Sequence, residues 1–236
     1  DLKVFCNTRE LDLLQKYGLD APVIFVPVER KIRIWADIST LWSLYAKFKR
    51  EGPIAVHTLT PKAGLLGMCA AWFARVPIRV HIFTGQVWAT RQGPMRWLLK
   101  SADQCIAALA TDVLVDSASQ RRFLIQEGVV GAGGTTVLGA GSICGVDTQR
   151  FSPNRLMRKQ VRAEMGSIDD AVVCLYLGRL NRDKGVLDLA AAFAQLAAKH
   201  TKAELWVVGP DEGEIFTEMK KVLGACSPQV FRVDYV

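Results

Sequence analysis

The sequence predicts an α/β fold that is divided into two domains. Short apolar strand signals alternate with helical signals along the 236 residues, a pattern that is typical of parallel β-α-β units. Residues 139–153 interrupt this alternation because they are rich in glycine and turn formers, and the basic stretch 155–162 follows them. The alternation then restarts. We therefore predict one domain at residues 1–150 and a second at residues 151–236.

The first domain is expected to contain about six strands, since it opens on an apolar segment at Leu2–Cys6 and continues with short runs of β-branched and other apolar residues. These runs predict strands at Val23–Val28, Ile54–His57, Ile78–Phe83, Val113–Val115 and Thr135–Leu138.

Four helices are predicted between these strands. Helix 37–50 has apolar residues at helical spacing, and we expect this face to pack on the core. The residues on that face are Ile38, Leu41, Trp42, Tyr45 and Phe48. Helix 61–75 has proline in its first turn, where proline is tolerated. Helix 94–109 follows, and helix 117–127 begins with Ser117 and Gln120 at the spacing of a capping box.

The second domain is predicted to hold only the beginning of a sheet, with roughly three strands, fewer than a typical sheet has. Residues 171–177 have the continuous apolar character of a buried parallel strand. Further strands are predicted at 204–208 and 230–236, and helices at 184–200 and 212–223.

The turn Gly178–Gly185 is the most informative segment, because it joins a predicted strand to a helix and contains two arginines and a lysine. Parallel sheets bind ligands beyond the carboxyl ends of their strands, and helix N-termini favour anions. The turn therefore favours a diphosphate, although a solvated charged turn is an equal alternative on spacing alone. A second glycine turn, Gly209–Gly213, follows the next strand. Neither turn has the G-x-G-x-x-G or Walker pattern, which argues against a dehydrogenase and an ATPase.

The composition limits the class of partner. A net charge of +7 favours anionic partners without choosing between nucleotides, phospholipids and nucleic acid. The six cysteines form no C-x-x-C pair and the three histidines are scattered, so we expect reduced cysteines of a cytosolic protein and no metal site. We find neither a signal peptide nor an apolar run of the roughly 18 residues that a membrane helix needs.

Several segments resemble the family-4 retaining glycosyltransferases, whose GT-B fold has two Rossmann-like domains. Gly178–Gly185, followed by a strand that ends at Val207–Gly209, is similar to their donor domain. Gly145–Asp147 resembles the segment before their interdomain linker, and 57–64 and 116–119 resemble loops of their first domain. The resemblance implies an α/β fold of two Rossmann-like domains, the second one incomplete.

The resemblance also implies roles for single residues. Arg179 and Lys184 would bind the diphosphate of the donor and stabilise the leaving nucleotide, with Gly178, Gly209 and Asp147 as further donor-binding residues. Preformed cations suit this task because cleavage of the sugar–phosphate bond places negative charge on the diphosphate. No metal ion or other cofactor is expected.

Candidate residues on the acceptor side are His57, Lys62, Thr84 and Gly85. Thr84 stands where the family commonly has the second histidine of H-x-x-H-G. We interpret His81, the first histidine of that segment, as a core residue.

Both ends of the sequence look cut. Relative to the family, we expect the first strand with its glycine-rich loop to be missing before Leu2, and the E-x₇-E element to be missing after the last strand. A chain with these bounds is expected to be inactive by itself.

The segment 87–100 combines cations with two tryptophans, as membrane-interfacial segments do, and residues 52–102 contain no acidic residue. The predicted membrane-contact residues are Trp88, Arg91, Arg96, Trp97 and Lys100. Ordinary packing of the two tryptophans under a charged face is the alternative.

The leading hypothesis is a retaining glycosyltransferase. It would move a sugar from a nucleotide-sugar to a glycan or lipid-linked acceptor during bacterial assembly of lipopolysaccharide, capsule or exopolysaccharide. We expect it in the cytoplasm, peripheral on the inner membrane, with no nucleic-acid partner. Three alternatives stay open: a GT-B nucleotide-sugar epimerase, a non-catalytic glycan- or nucleotide-binding relative, and a nucleic-acid-binding α/β domain.

Overall fold

The computed structural model of the protein describes residues 2–7, 18, 21–29, 32–142 and 145–234. Asp1, Cys144 and the last two residues of the predicted strand 230–236 lie outside these ranges. The chain divides into two compact units, residues 1–146 and residues 147–236.

The strands of the first unit are parallel. Strand β1 (Val4–Cys6) pairs with β2 (Val23–Phe25). The strands β3 (Ala55–Thr58), β4 (Ile78–Phe83), β5 (Asp112–Val115) and β6 (Thr136–Val137) form a four-stranded sheet in chain order. In the register of this sheet, His81 lies between Thr58 and Val113. These strands confirm the α/β fold class, and each overlaps a predicted strand.

Helices follow the strands of the first unit at α1 (Ile34–Glu51), α2 (Pro61–Phe73), α3 (Gly93–Leu109) and α4 (Ala118–Gln126). Ser117 caps α4 through its Oγ atom, which accepts a hydrogen bond of 3.1 Å from Gln120 N. In a capping box the Gln120 side chain would accept from the N–H of Ser117. Here it accepts instead from Asp116 N, one residue earlier.

The predicted buried face of α1 is wrong in part. Thr40, Leu44 and Phe48 face the core, whereas Ile38 is exposed and Trp42 is 64% exposed. Burial of Thr40 is tolerated because its hydroxyl donates to the carbonyl oxygen of Pro27. This helix has apolar residues on more than one face, so the spacing of apolar residues alone predicted the wrong face to be buried.

Glycine lets α2 approach the sheet closely. A Cβ atom at Gly64 would lie 2.5 Å from His81 Cε1, and one at Gly67 would lie 2.7 Å from Thr58 Cγ2. His81 is buried, and its Nδ1 atom shares a hydrogen bond of 2.7 Å with Thr58 Oγ1. Burial, with a smaller contribution from His57, lowers the pKa of His81 to about 4. His81 is therefore a neutral core residue.

The second unit contains a three-stranded parallel sheet in the order β7 (Val172–Leu177), β8 (Ala203–Val208), β9 (Val230–Val233). Strand β8 is buried along its whole length. The expectation of a buried strand at 171–177 is wrong in part, because β7 lies at the sheet edge and leaves Val172, Leu175 and Leu177 exposed.

The helices of the second unit are α5 (Arg155–Met165), α6 (Val186–Ala197) and α7 (Ile215–Leu223). Helix α5 is formed by the basic stretch that we expected only to mark the break between domains. Asn154 caps it by accepting from the backbone N–H groups of Leu156 and Met157. The guanidinium of Arg162 is buried and donates to the carbonyl oxygens of Ile168 and Ala171. This cation of the basic stretch therefore has a structural role within the second unit.

Trp88 is fully buried in the first unit, which contradicts its predicted contact with a membrane. Its indole stacks on Phe123 at an interplanar angle of 20°, and its Nε1 atom donates a 2.7 Å hydrogen bond to Asp103 Oδ2. Arg96 and Lys100 lie over the ring. An indole with its donor satisfied inside the core is not available to lipid.

Burial raises the pKa of Asp103 to about 6, against the smaller lowering effect of the Trp88 hydrogen bond. We therefore expect Asp103 to stabilise the fold when it is protonated, with this stabilisation lost as the pH rises from about 4 to 7. Over that range the free energy of unfolding of the parent should fall by about 1–3 kcal/mol relative to Asp103→Asn. Urea unfolding at four pH values measures this difference. Asp112→Asn, which alters an exposed carboxylate of the same unit, is the control. Parallel pH profiles for the parent and Asp103→Asn would contradict the assignment.

Candidate functional site

The candidate site is built from two glycine turns. The first, Gly178–Gly185, follows β7, and the second, Gly209–Gly213, follows β8. Because β7 and β8 are adjacent and parallel, their carboxyl ends place the two turns side by side. Leu180 N donates to Pro210 O at 2.8 Å, and Glu212 N donates to Leu180 O at 2.9 Å. The two turns therefore form one hydrogen-bonded unit, which we call the paired turns.

The paired turns require glycine at position 209. Gly209 has a φ of +131°, and a Cβ atom there would lie 2.2 Å from the carbonyl oxygen of Gly178. Its own N–H donates to Val233 O, and Gly178 N donates to Val208 O. A side chain at Gly209 would push these two backbones apart.

Helix α6 begins directly after the first turn, at Val186, with Gly185 in a left-handed conformation at its N-cap and no side-chain cap. The N-terminus of α7 is different, since Asp211 accepts hydrogen bonds from Ile215 N and Phe216 N. Helix α6 carries Asp188 in its first turn, but no side chain caps its N-terminal N–H groups, so the α6 end is better suited to an external anion than the capped α7 end.

Arg179 and Lys184, the two predicted diphosphate ligands, both lie on the first turn. The Arg179 guanidinium donates to Glu212 Oε1 at 2.7 Å, and its carbonyl oxygen accepts from the Tyr176 hydroxyl. Lys184 ends a short 3₁₀ helix at Arg182–Lys184 and is exposed. Its ammonium makes no hydrogen bond or ion pair with the residues that the structure describes. Arg182 is paired with Glu218 at 2.5 Å.

Two residues of the paired turns escaped the sequence prediction. Glu212 accepts from Arg179 with one carboxylate oxygen and from Asn181 Nδ2 with the other, at 3.0 Å. The Oδ1 atom of Asn181 is buried and has no hydrogen-bond partner among the described residues. The sequence did contain a signal for Glu212. A negative charge is unexpected in a turn that should attract anions, which suggests that it pairs with a nearby cation.

Among the described residues, Asp147 forms its hydrogen bonds with neighbouring residues and not with the paired turns. Its Oδ1 atom accepts from Gln149 N and Arg150 N, and its carbonyl oxygen accepts from Phe151 N. No hydrogen bond within the described ranges joins Asp147 to the paired turns. The carboxylate closes a local turn, and its predicted donor-binding role stays a prediction.

The acceptor-side candidates lie at the carboxyl edge of β3 and β4 in the first unit. His57 is exposed near the end of β3, and Thr84 and Gly85 are exposed directly after β4. Lys62, in the first turn of α2, forms an ion pair of 2.6 Å with Asp37 on α1. Because β3 and β4 are parallel neighbours, the structure places these four residues at the same edge.

The remaining predicted membrane-contact residues differ in their surroundings. Trp97 is 71% exposed and Arg91 is exposed. Arg96 and Lys100 each form a 2.8 Å ion pair with the same carboxylate oxygen of Glu127, and these pairs lower its pKa. None of the described helices has the length and apolarity that a membrane-spanning segment requires.

No cluster of three or more potential metal-ligating His, Cys, Asp or Glu side chains occurs in the described part of the chain. The five cysteines it includes, at positions 6, 69, 105, 174 and 226, are free thiols.

The model of the glycosyl transferase 4-like domain matches residues 2–141, more than half of the sequence. The chain belongs to this family. Capsular polysaccharide biosynthesis glycosyltransferase CapM of Staphylococcus aureus is 30% identical over 191 residues, which cover 80% of this chain and 49% of CapM. An Escherichia coli UDP-Gal:α-D-GlcNAc-diphosphoundecaprenol α-1,3-galactosyltransferase is 27% identical over 224 residues, 93% of this chain and 56% of that protein.

Among solved structures, Anabaena HepE in complex with UDP-glucose matches with a TM-score of 0.74 at 17% identity. The match covers 99% of this chain and 61% of HepE, and it supports the GT-B fold. The chain of this family-4 member spans about half the length of the two curated relatives.

The close approach at Gly209 makes a testable prediction. Gly209→Ala should destabilise the second unit by about 1–3 kcal/mol more than Gly213→Ala, because both positions have positive φ but only Gly209 faces a backbone atom. A methyl group at Gly213 would meet no atom within 4 Å, so Gly213→Ala controls for backbone strain alone. Denaturant unfolding of both variants gives the comparison. Equal losses would show that the turns do not depend on this contact.

Proposed function

We propose that this protein is a retaining glycosyltransferase that uses a nucleotide-sugar donor. The observation that carries the proposal is the pairing of the two turns, which holds in one hydrogen-bonded unit the turn that contains Arg179 and Lys184 and leads directly into the N-terminus of α6. Membership of the family and the named activities of the relatives support it.

The proposed chemistry follows from charge. When the bond between the sugar and the diphosphate breaks, negative charge accumulates on the diphosphate oxygens. Arg179 can present a planar pair of N–H donors to these oxygens, and Lys184 a mobile ammonium. The helix N-terminus adds further backbone donors. Because the paired turns hold the backbone of Arg179 and Lys184 in place before the reaction, we expect these cations to stabilise the transition state more than the ground state. In this proposal the two cations balance the diphosphate charge without a metal ion.

We propose a uridine diphosphate sugar as the donor and a lipid-linked glycan as the acceptor, in the assembly of a bacterial surface polysaccharide. The name of the Escherichia coli relative contains both a UDP-sugar and a diphosphoundecaprenol acceptor. HepE was solved with UDP-glucose, and CapM is named for capsular polysaccharide. In the first unit, His57, Lys62, Thr84 and Gly85 are the residues we propose for the acceptor side.

We also propose that the protein works on the cytoplasmic face of the inner membrane. Exposed apolar side chains occur at the start of α3 and in the first half of α1. They are Met95, Trp97 and Leu98 on α3, and Ile34, Trp35, Ile38 and Trp42 on α1. Exposed indoles of this kind favour the lipid–water boundary. Arg91 and the net charge of +7 favour anionic headgroups.

The role of Lys184 is tested by turnover in the intact protein. Lys184→Ala should lower kcat about 10²–10³-fold, as the loss of other preorganised electrostatic groups does. Arg182→Ala is the matched control, since it removes a neighbouring cation that is already paired with Glu218. Sugar transfer from labelled UDP-sugars, with and without EDTA, is the assay. Near-normal turnover of Lys184→Ala would exclude the proposed role, and loss of turnover in EDTA would exclude metal-independent catalysis.

The same assay separates transfer from epimerisation. A transferase should release UDP only in the presence of an acceptor and should glycosylate that acceptor with retention. Conversion of the UDP-sugar to its epimer without any acceptor would favour the epimerase.

Membrane contact is tested by flotation with vesicles that contain anionic phospholipid. Replacing both Trp35 and Trp97 by Ser should lower the partition coefficient about tenfold or more, because two exposed indoles are lost. Trp72→Ser is the control, since Trp72 is half-exposed but lies in the last turn of α2. An equal effect of the control would contradict the proposed surface.

A further inference from the structure

Glu212 holds a position that conflicts with the proposed use of Arg179. Its two carboxylate oxygens accept from the guanidinium of Arg179 at 2.7 Å and from the amide of Asn181 at 3.0 Å. All three residues belong to the paired turns. The Glu212 carboxylate therefore occupies the same hydrogen-bond donors that the anionic oxygens of a phosphate group would use.

The backbone keeps Glu212 at this place. Its N–H is bonded to Leu180 O, and the neighbouring Asp211 is engaged with the first turn of α7. The side chain therefore starts from a fixed point within reach of Arg179. The carboxylate and the guanidinium are each 41% exposed, so solvent can replace either partner. An ion pair this exposed is weak and can be exchanged for a better anion.

We infer that Glu212 is a competing anion that sets the affinity of the paired turns for the donor diphosphate. It accepts from Arg179 and Asn181 when the turns hold no nucleotide, and the diphosphate displaces it when the donor binds. This inference rests on the proposed function, since it requires that Arg179 binds a diphosphate.

Displacement does not remove the negative charge of Glu212, because the backbone of its turn stays bonded to the first turn. The charge therefore opposes the bound nucleotide, and more strongly when the nucleotide carries more negative charge. Free UDP has a terminal phosphate that gains a second charge with a pKa of about 6, whereas in a UDP-sugar that phosphate is esterified. Glu212 should consequently weaken the binding of the UDP product more than that of the UDP-sugar donor, which favours product release.

Glu218 offers a matched control. It forms an equivalent ion pair with Arg182, at 2.5 Å, also between the first turn and a residue of the β8–β9 connection. Arg182 is not assigned to the diphosphate. Glu212→Gln and Glu218→Gln therefore remove the same charge from the same part of the surface, and only the first removes it from Arg179.

The experiment is titration calorimetry of the intact protein with UDP and with UDP-glucose as probes. Glu212→Gln should bind UDP about 3- to 10-fold more tightly than the parent, with a smaller gain for UDP-glucose. Glu218→Gln should stay within about twofold of the parent, as a peripheral exposed pair would. Melting temperatures check that the variants fold. Glu212→Ala removes the same charge, so either folded variant decides the question.

Two results would overturn the inference, and they have different meanings. If the parent binds UDP but Glu212→Gln binds it equally or less tightly, or if Glu218→Gln gains as much, then Glu212 is not a competitor and the proposed donor site stands. If neither the parent nor any variant binds either probe, then the proposed function and the inference both fail.

Discussion

The hydrogen-bonded contact between the two glycine turns is the constraint on which the candidate site depends. It follows from the register of β7 and β8, which brings Gly178 and Gly209 so close that a side chain at Gly209 is excluded. Once the backbones are joined, Arg179 and Glu212 must face each other although 33 positions separate them in the chain. The affinity of this site for anions is therefore decided by both turns together, and the cations of the first turn cannot be considered alone.

The sequence singled out Arg179 and Lys184 as candidate cations of the site but did not indicate the partners of Arg179. The three cations of residues 178–185 lie on one strand-to-helix turn, and the resemblance to the family selected Arg179 and Lys184 among them. Glu212 and Asn181 acquire their roles only through the pairing of strands, and nothing in either turn states which residue of the other it will contact. For the same reason the charge-rich segment around Arg96 and Lys100 suggested free cations, whereas both bind Glu127, which is distant in sequence. Cations in a stretch without acidic residues can still form ion pairs with a carboxylate elsewhere in the fold, here Glu127 directly after α4.

In the fold, too, the positions of strands could be predicted from short stretches of sequence, whereas the buried faces of helices depend on tertiary packing. Strands such as Ile78–Phe83 were predicted with their observed bounds, because a short apolar run between turn signals has few alternatives. The faces of helices were harder, since α1 has enough apolar residues for more than one stripe and the core selected Thr40, Leu44 and Phe48. Trp88 is a further case, because tryptophan suits both a lipid boundary and a core. Its buried hydrogen bond to Asp103, which decides between the two, joins residues on different elements.

His81 and Asp103, two buried ionisable groups in the described part of the first unit, have opposite effects on its stability. His81, with a pKa of about 4, is kept neutral by burial, so the unfolded chain binds a proton more readily and stability rises with pH between about 4 and 6.5. Asp103, with a pKa of about 6, is also favoured in its neutral form, but for a carboxyl group this means that stability falls as pH rises over a range that largely overlaps. The two slopes therefore have opposite signs, and removing either group alone should leave the pH dependence caused by the other.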